Sequence, residues 1–225
     1  MSPVQQTRTP RGALYRIGRL PDPLAWPPWD VVGNGRFDDP EREFRVLYAA
    51  AQRRGAFVET LAQFRPVLTA LVHLQEVVDA EEPLPKNVVP PHWHQRQAVV
   101  RLRVLPGQRW LDLRAPATRE TLRTELAATL LTLGLSDLDL GHVLGPSTAL
   151  TQTIARWAHQ RGYAGLAYTS RLDARLTLWA LFEGAAFESI GEPDPIAPDD
   201  PDLAATARLY GLLVSHELLP RLLSL

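Results

Sequence analysis

The near-continuous apolar run at residues 176–182, LTLWALF, most constrains what this chain can fold into. Only Thr177 interrupts it, so it lacks the alternation of a half-solvated strand and predicts a central strand buried on both faces. Shorter strands are predicted around it. Residues 13–20 (ALYRIGRL) alternate, with Ala13, Tyr15 and Ile17 on one face and Leu14 and Arg16 on the other. Residues 98–105 and 109–113 read as two neighbouring strands joined by a Pro106-Gly107 turn, and residues 163–170 (YAGLAYTS) run from small apolar residues into Thr169 and Ser170.

Helical periodicity covers much of the remainder. Leu122, Leu126, Leu130 and Leu133 mark a helix over residues 118–133 that stops at Gly134. Ser147 caps the next one, which buries Leu150, Ile154, Trp157 and Ala158 and ends at Gly162. Residues 67–78 have helical character, and Leu203, Ala207, Tyr210 and Val214 predict a closing amphipathic helix over residues 203–222. The elements are mixed without regular βαβ alternation, which predicts an α+β fold.

At 225 residues the chain suits one domain, with a frayed tail over residues 1–12. With 24 basic against 25 acidic residues there is no basic surplus for a phosphate backbone, so nucleic acid is not the expected partner. The chain has no cysteine, which removes thiolate nucleophiles and Cys-based zinc sites. No apolar run has signal-peptide or membrane-span character, so a cytoplasmic protein without a membrane partner is expected, and the Arg-, Ala- and Pro-rich composition hints at a bacterial source. His92-Trp93-His94 puts two imidazoles on one side of a strand, but no third ligand accompanies them and no metal site is expected.

The most informative stretch is residues 35–66, GRFDDPEREFRVLYAAAQRRGAFVETLAQFRP. Asp39-Pro40 predicts a helix start, and Phe44, Leu47, Tyr48 and Ala51 follow a helical stripe. Gly55 then interrupts, and Phe57, Leu61 and Phe64 form a second stripe ended by Pro66. Arg36, Tyr48 and Glu59 are its polar groups with chemistry. Read alone, Tyr48 is a packed core residue or a site group, and Glu59, among Ala56, Phe57, Val58 and Leu61, a solvated edge or a site group. Arg16 reads alone as a surface arginine on an edge strand, and Ser170 as ordinary turn chemistry. Upstream, residues 21–34 form a Pro- and Trp-rich loop whose Trp26 and Trp29 must cover something apolar, or present a surface to a partner.

No Walker loop, Gly-x-Ser-x-Gly elbow or His-Glu-x-x-His motif is present. What remains is arginines, an aromatic ring, a carboxylate and a hydroxyl. Arginine binds phosphate oxygens bidentately, an aromatic ring stacks on a heterocycle, and a carboxylate beside a sugar stabilises an oxocarbenium-like transition state.

LYRIG at Leu14, GRFDDP at Gly35, LYAA at Leu47, AFVETL at Ala56 and GLAYTSR at Gly165 stand in an order and spacing that resemble the RES domain family. The resemblance spans residues 13–184, leaving residues 185–225 as a C-terminal extension whose amphipathic helix packs on the domain. It implies an ADP-ribosyltransferase-like mixed sheet flanked by helices, and an enzyme that degrades NAD⁺ by hydrolysis or phosphorolysis, the toxin of a pair with an Xre-type helix-turn-helix antitoxin. By position it implies Arg16 and Arg36 on the pyrophosphate and ribose, Tyr48 near the nicotinamide ribose, and Glu59 as the main catalytic group. Ser170 would fix Glu59 or a ribose hydroxyl. NAD⁺ is then a substrate, with no permanently bound cofactor and with water or inorganic phosphate as acceptor. A mono-ADP-ribosyltransferase acting on protein, a non-catalytic nucleotide-binding module and a homodimer stay open.

Overall fold

The apolar run becomes the strand Thr177–Phe182, paired on both edges and buried from Leu178 to Phe182. The computed structural model describes residues 6–7, 9–10, 12–66 and 87–214, so the helix expected over residues 67–78 lies outside the described residues. In chain order the elements are β1 (Gln6–Thr7), β2 (Leu14–Arg19), β3 (Val46–Ala50), α1 (Arg53–Leu61), β4 (Val88–Val89), α2 (Pro91–Gln95), β5 (Gln97–Val104), β6 (Trp110–Asp112) and α3 (Pro116–Glu125). There follow α4 (Ala127–Thr132), α5 (Leu140–Leu144), α6 (Thr148–Gln160), β7 (Gly165–Thr169), β8 (Thr177–Phe182), β9 (Phe187–Ser189), β10 (Asp194–Pro195), α7 (Pro201–Tyr210) and β11 (Leu213–Val214).

Among the described residues, nine strands form one mixed sheet in the order β1-β6-β7-β8-β3-β2-β5-β10, with β9 also on β5. All its pairings are antiparallel except β6 with β7. This is a mixed α+β fold. The helices supply one face of the core, with Phe57 and Leu61 of α1, Leu122 of α3, Leu150, Ile154 and Ala158 of α6 and Leu203 of α7 against Leu166, Ala180 and Phe182. The opposite face, built on Leu14, Leu47, Leu102, Trp110, Trp179 and Leu181, is covered by Leu24, Trp26 and Phe187. So the Pro/Trp loop closes the second face, with the Trp26 ring edge-on to Phe187 at 6.1 Å. Trp29 remains 44 % exposed, with the Arg45 guanidinium over its ring.

Several expectations change. Phe44, Leu47 and Tyr48 do not share a helix, because residues 46–50 are β3 and the Asp39-Pro40 signal is spent on a turn: the Asp39 carboxylate accepts from the Glu41 and Glu43 N–H groups. A run of VLYAA flanked by sheet partners gains more from its ladder with β8 than from the local helix signal. Gly55 lies inside α1 rather than before it, since a Cβ there would come within 2.9 Å of the Ala50 Cβ and push the helix off β3. The strands β5 and β6 are not neighbours; β5 pairs with β2, and β6 lies between β1 and β7. The helix over residues 118–133 divides at Leu126 into α3 and α4. Residues 92–94 belong to α2, where a spacing of two turns the imidazoles about 200° apart, His92 outward and His94 inward.

Gln6 and Thr7, in the stretch expected to fray, pair by backbone with Leu111 and Trp110, as an open sheet edge allows. Beyond residue 184, β9 and β10 complete the sheet against β5. The closing helix α7 stops at Gly211 in the left-handed conformation, short of the expected residue 222, and β11 pairs in parallel with β4. No helix among the described residues is long and apolar enough to cross a membrane.

Candidate active site

The backbone ladder between β2 and β3 is short, and beside it an arginine enters. The two strands pair only at Tyr15 and Ala50. One residue on, Arg16 Nη1 donates to the Tyr48 carbonyl at 3.0 Å and its Nε to the Pro23 carbonyl at 3.1 Å. The guanidinium thus takes the place of a ladder N–H. Arg16 lies on an inner strand between β3 and β5, not on an edge, and burial brings its pKa down to about 10, leaving it charged at neutral pH.

Glu59 projects from α1 into the same space. Its Oε1 accepts from the Ser170 hydroxyl at 2.5 Å. Ser170 is buried at the end of β7, and its oxygen also accepts the N–H groups of Leu172 and Asp173 at 3.0 and 3.2 Å. With both acceptor positions filled, the single hydroxyl proton goes to Glu59. Burial raises the Glu59 pKa above the ordinary carboxylate value, while Ser170, Arg36 and Arg171 oppose that rise.

Arg36 follows the Gly33-Asn34-Gly35 turn, which is held from two sides. The Asp38 carboxylate accepts the Gly33 and Gly35 N–H groups at 3.2 and 2.7 Å and the Tyr48 hydroxyl at 2.7 Å. From α6, Gln152 donates to the Gly33 and Gly35 carbonyls and Thr151 to the Arg36 carbonyl. A Cβ on Gly35 would stand 2.4 Å from Asp38 Oδ1, so only glycine fits. The Arg36 guanidinium donates to the Val143 and Gly145 carbonyls, and burial, followed by the nearby Arg171, lowers its pKa. Tyr48 has its hydroxyl committed to Asp38 and to the Phe37 N–H, and burial holds its pKa well above the ordinary phenol value.

Arg16, Arg36, Tyr48 and Glu59 line one cavity of about 550 Å³, within the range of small-molecule sites. Ser170 stands behind Glu59. Sequence reasoning missed further members: Arg65, Arg171 and Tyr168 on the wall, and Asp38 beneath the turn. Tyr168 was findable, since it lies two residues before Ser170 and so on the same face of β7. Arg65, by contrast, reaches the cavity only because the 3-10 turn of residues 62–64 brings it back. The wall carries four arginines, Arg16, Arg36, Arg65 and Arg171, against the single carboxylate of Glu59. Arg16 and Arg36 each spend two of five N–H donors on carbonyls, which leaves both with donors to offer. Arg65 and Arg171 make no ion pair with the described residues. The arrangement suits a ligand with more than one negative charge and a hydroxyl-bearing group at Glu59.

The RES domain model matches residues 13–204, and the chain belongs to the RES domain family. The match continues past residue 184 through β9 and β10 into α7. The fold is similar to that of a chain in the crystal structure of the M. tuberculosis MbcT–MbcA toxin–antitoxin complex, with a TM-score of 0.56 at 13 % identity over 92 % of each chain. No curated protein sequence matches significantly.

Proposed function

We propose that the chain is an NAD⁺-degrading toxin of the RES type, cleaving the bond between nicotinamide and ribose. The observation that carries this reading is Glu59, a lone carboxylate oriented by Ser170 in a cavity whose other charged side chains are four arginines. The arginines take the pyrophosphate, and Glu59 accepts a hydroxyl of the nicotinamide ribose. As the glycosidic C–N bond breaks, its electron pair leaves with the nicotinamide nitrogen, which becomes neutral without needing a proton. The Glu59 carboxylate stabilises the positive charge left at the anomeric carbon. Water or inorganic phosphate then bonds to that carbon, a water giving up one proton to solvent. Tyr48 acts as a wall held by Asp38, its hydroxyl already committed. Membership of the RES family and the likeness to a toxin–antitoxin complex support a partner antitoxin, for which an Xre-type helix-turn-helix protein is the proposal.

The test is to incubate the purified chain with NAD⁺, with and without inorganic phosphate, and follow nicotinamide and the ADP-ribose products by mass spectrometry. Nicotinamide release that disappears in Glu59→Gln is the expected result, and the product mass identifies the acceptor. Intact NAD⁺ with the wild-type chain would overturn the cleavage reading.

A further inference from the structure

Tyr168 is the fourth of the five residues of β7, only 7 % exposed, with its ring tilted against Phe37 at a centroid distance of 4.6 Å. Its hydroxyl makes no hydrogen bond to any described residue, yet it is not among the sealed, unsatisfied polar atoms of the interior. Tyr168 lines the 550 Å³ cavity, so that is where its hydroxyl finds room. The contrast with Tyr48 is direct, since that phenol is fully occupied by Asp38 and Phe37. Opening onto the cavity, the Tyr168 hydroxyl is a donor that a ligand oxygen can meet.

We propose that Tyr168 is a substrate-binding residue whose hydroxyl donates to the same ribose hydroxyl that donates to Glu59. The proposal rests on the reading of the cavity as a site for a ribose-bearing pyrophosphate. Tyr168, Glu59 and Arg36 line the same cavity, and Tyr168 bonds to neither of the other two, so an oxygen of a ligand held there can meet both the phenol and the carboxylate. A ribose hydroxyl has one proton to give and lone pairs to receive one, so it completes a chain from Tyr168 through the sugar to Glu59. Burial, reinforced by the Glu59 charge, pushes the Tyr168 pKa far above that of a free phenol. The group therefore stays a neutral donor and neither takes a proton nor attacks. Its contribution is recognition of the sugar.

The experiment compares wild type with Tyr168→Phe, using ADP-ribose and ADP, which lacks the terminal ribose and carries a free terminal phosphate; each ligand is compared between the two proteins, so the charge difference cancels. Phenylalanine keeps the ring against Phe37 and removes an oxygen that bonds to no described residue, so the unliganded Tm is expected to be unchanged or slightly higher. Affinity for ADP-ribose should fall about tenfold while affinity for ADP holds, and kcat/KM for NAD⁺ should fall by a similar factor. Unchanged ADP-ribose binding, or an equal loss for ADP and ADP-ribose, would overturn the contact. If wild type binds ADP-ribose more tightly than Tyr168→Phe but leaves NAD⁺ intact, the cleavage reading fails and the ribose contact stands. If wild type binds neither ligand, both fail together.

Discussion

The two ends of α1 carry opposite electrostatic arrangements. At its start Arg53 is outnumbered by carboxylates: it pairs with Asp200 at 2.5 Å and Asp202 at 2.7 Å, with Asp194 at 3.5 Å, and covers the Phe57 ring. At its other end Glu59 is outnumbered by four cavity arginines. The first cluster closes on itself. Burial of Asp200 opposes its charge, but Arg53 and the N–H groups of Leu203 and Asp202 override this and hold its carboxyl below the ordinary range. The second is left open, because among the described residues Arg65 and Arg171 pair with no carboxylate and Glu59 bonds to one hydroxyl. Saturated charge fastens α7 to α1; unsaturated charge lines the cavity. The same helix serves both purposes because Arg53 and Glu59 are six residues apart, about 600° of rotation, which places them well apart around the axis.

The sharpest way to break this comparison is at Glu59. Glu59→Gln keeps size and shape but not the charge, and should lower nicotinamide release by about 10²–10³-fold while leaving the far-ultraviolet circular dichroism unchanged. A Gln variant with wild-type turnover would show that the open end of α1 does no chemistry. Ser170→Ala should reduce the same rate by about 10–100-fold, the worth of a hydrogen bond to a charged group. Because the Ser170 bond holds the Glu59 pKa down, its loss should also move the acid limb of the pH–rate profile to higher pH. A rate loss with the limb unmoved would mean that Ser170 acts on the loop rather than on the carboxylate.

At the closed end, Arg53→Met should cost about 2 kcal/mol of stability, or roughly 4–8 °C in Tm, since Asp200 loses its partner while most of the side-chain volume remains. The KM for NAD⁺ should change by less than about threefold; a larger change would merge the two clusters into one site. The smallest expected effect is the pH dependence of the Glu59→Gln Tm. The folded chain holds the Glu59 proton more tightly than the unfolded chain does, so this contribution to stability is intact below pH 4.5 and is lost as pH rises through the folded pKa. Glutamine escapes that loss. The variant should melt above wild type at pH 7, and the difference should close as pH falls toward 4, as followed by calorimetry.

Where sequence and structure disagree, the disagreements have a common cause. Residues 46–50 carry a helical stripe and a competent Asp-Pro start, yet they pair with β8, because a strand already buried on both faces offers a full ladder and apolar contacts that a local cap cannot match. Arg16 read as a surface residue because alternation tells which face a side chain takes and not how many strands lie beside it. Tyr48 was legible as a buried ring, whereas the reason for its burial, the Asp38 carboxylate that also ties down the Gly33-Asn34-Gly35 turn, joins residues whose meeting no period describes.

By itself the sequence determined the elements whose signal is local: the central strand through Trp179, the Ser147 cap of α6, the strand that delivers Ser170, and the family to which the order of its short motifs belongs. The family resemblance left Ser170 to fix either Glu59 or a ribose hydroxyl; the tertiary structure shows the Ser170 hydroxyl donating to Glu59, 111 positions away, and brings four arginines from separate segments to the cavity that Glu59 lines. Periodicity and capping act over a turn or two of chain, whereas the balance of charge in a cavity depends on which distant segments the sheet order brings together.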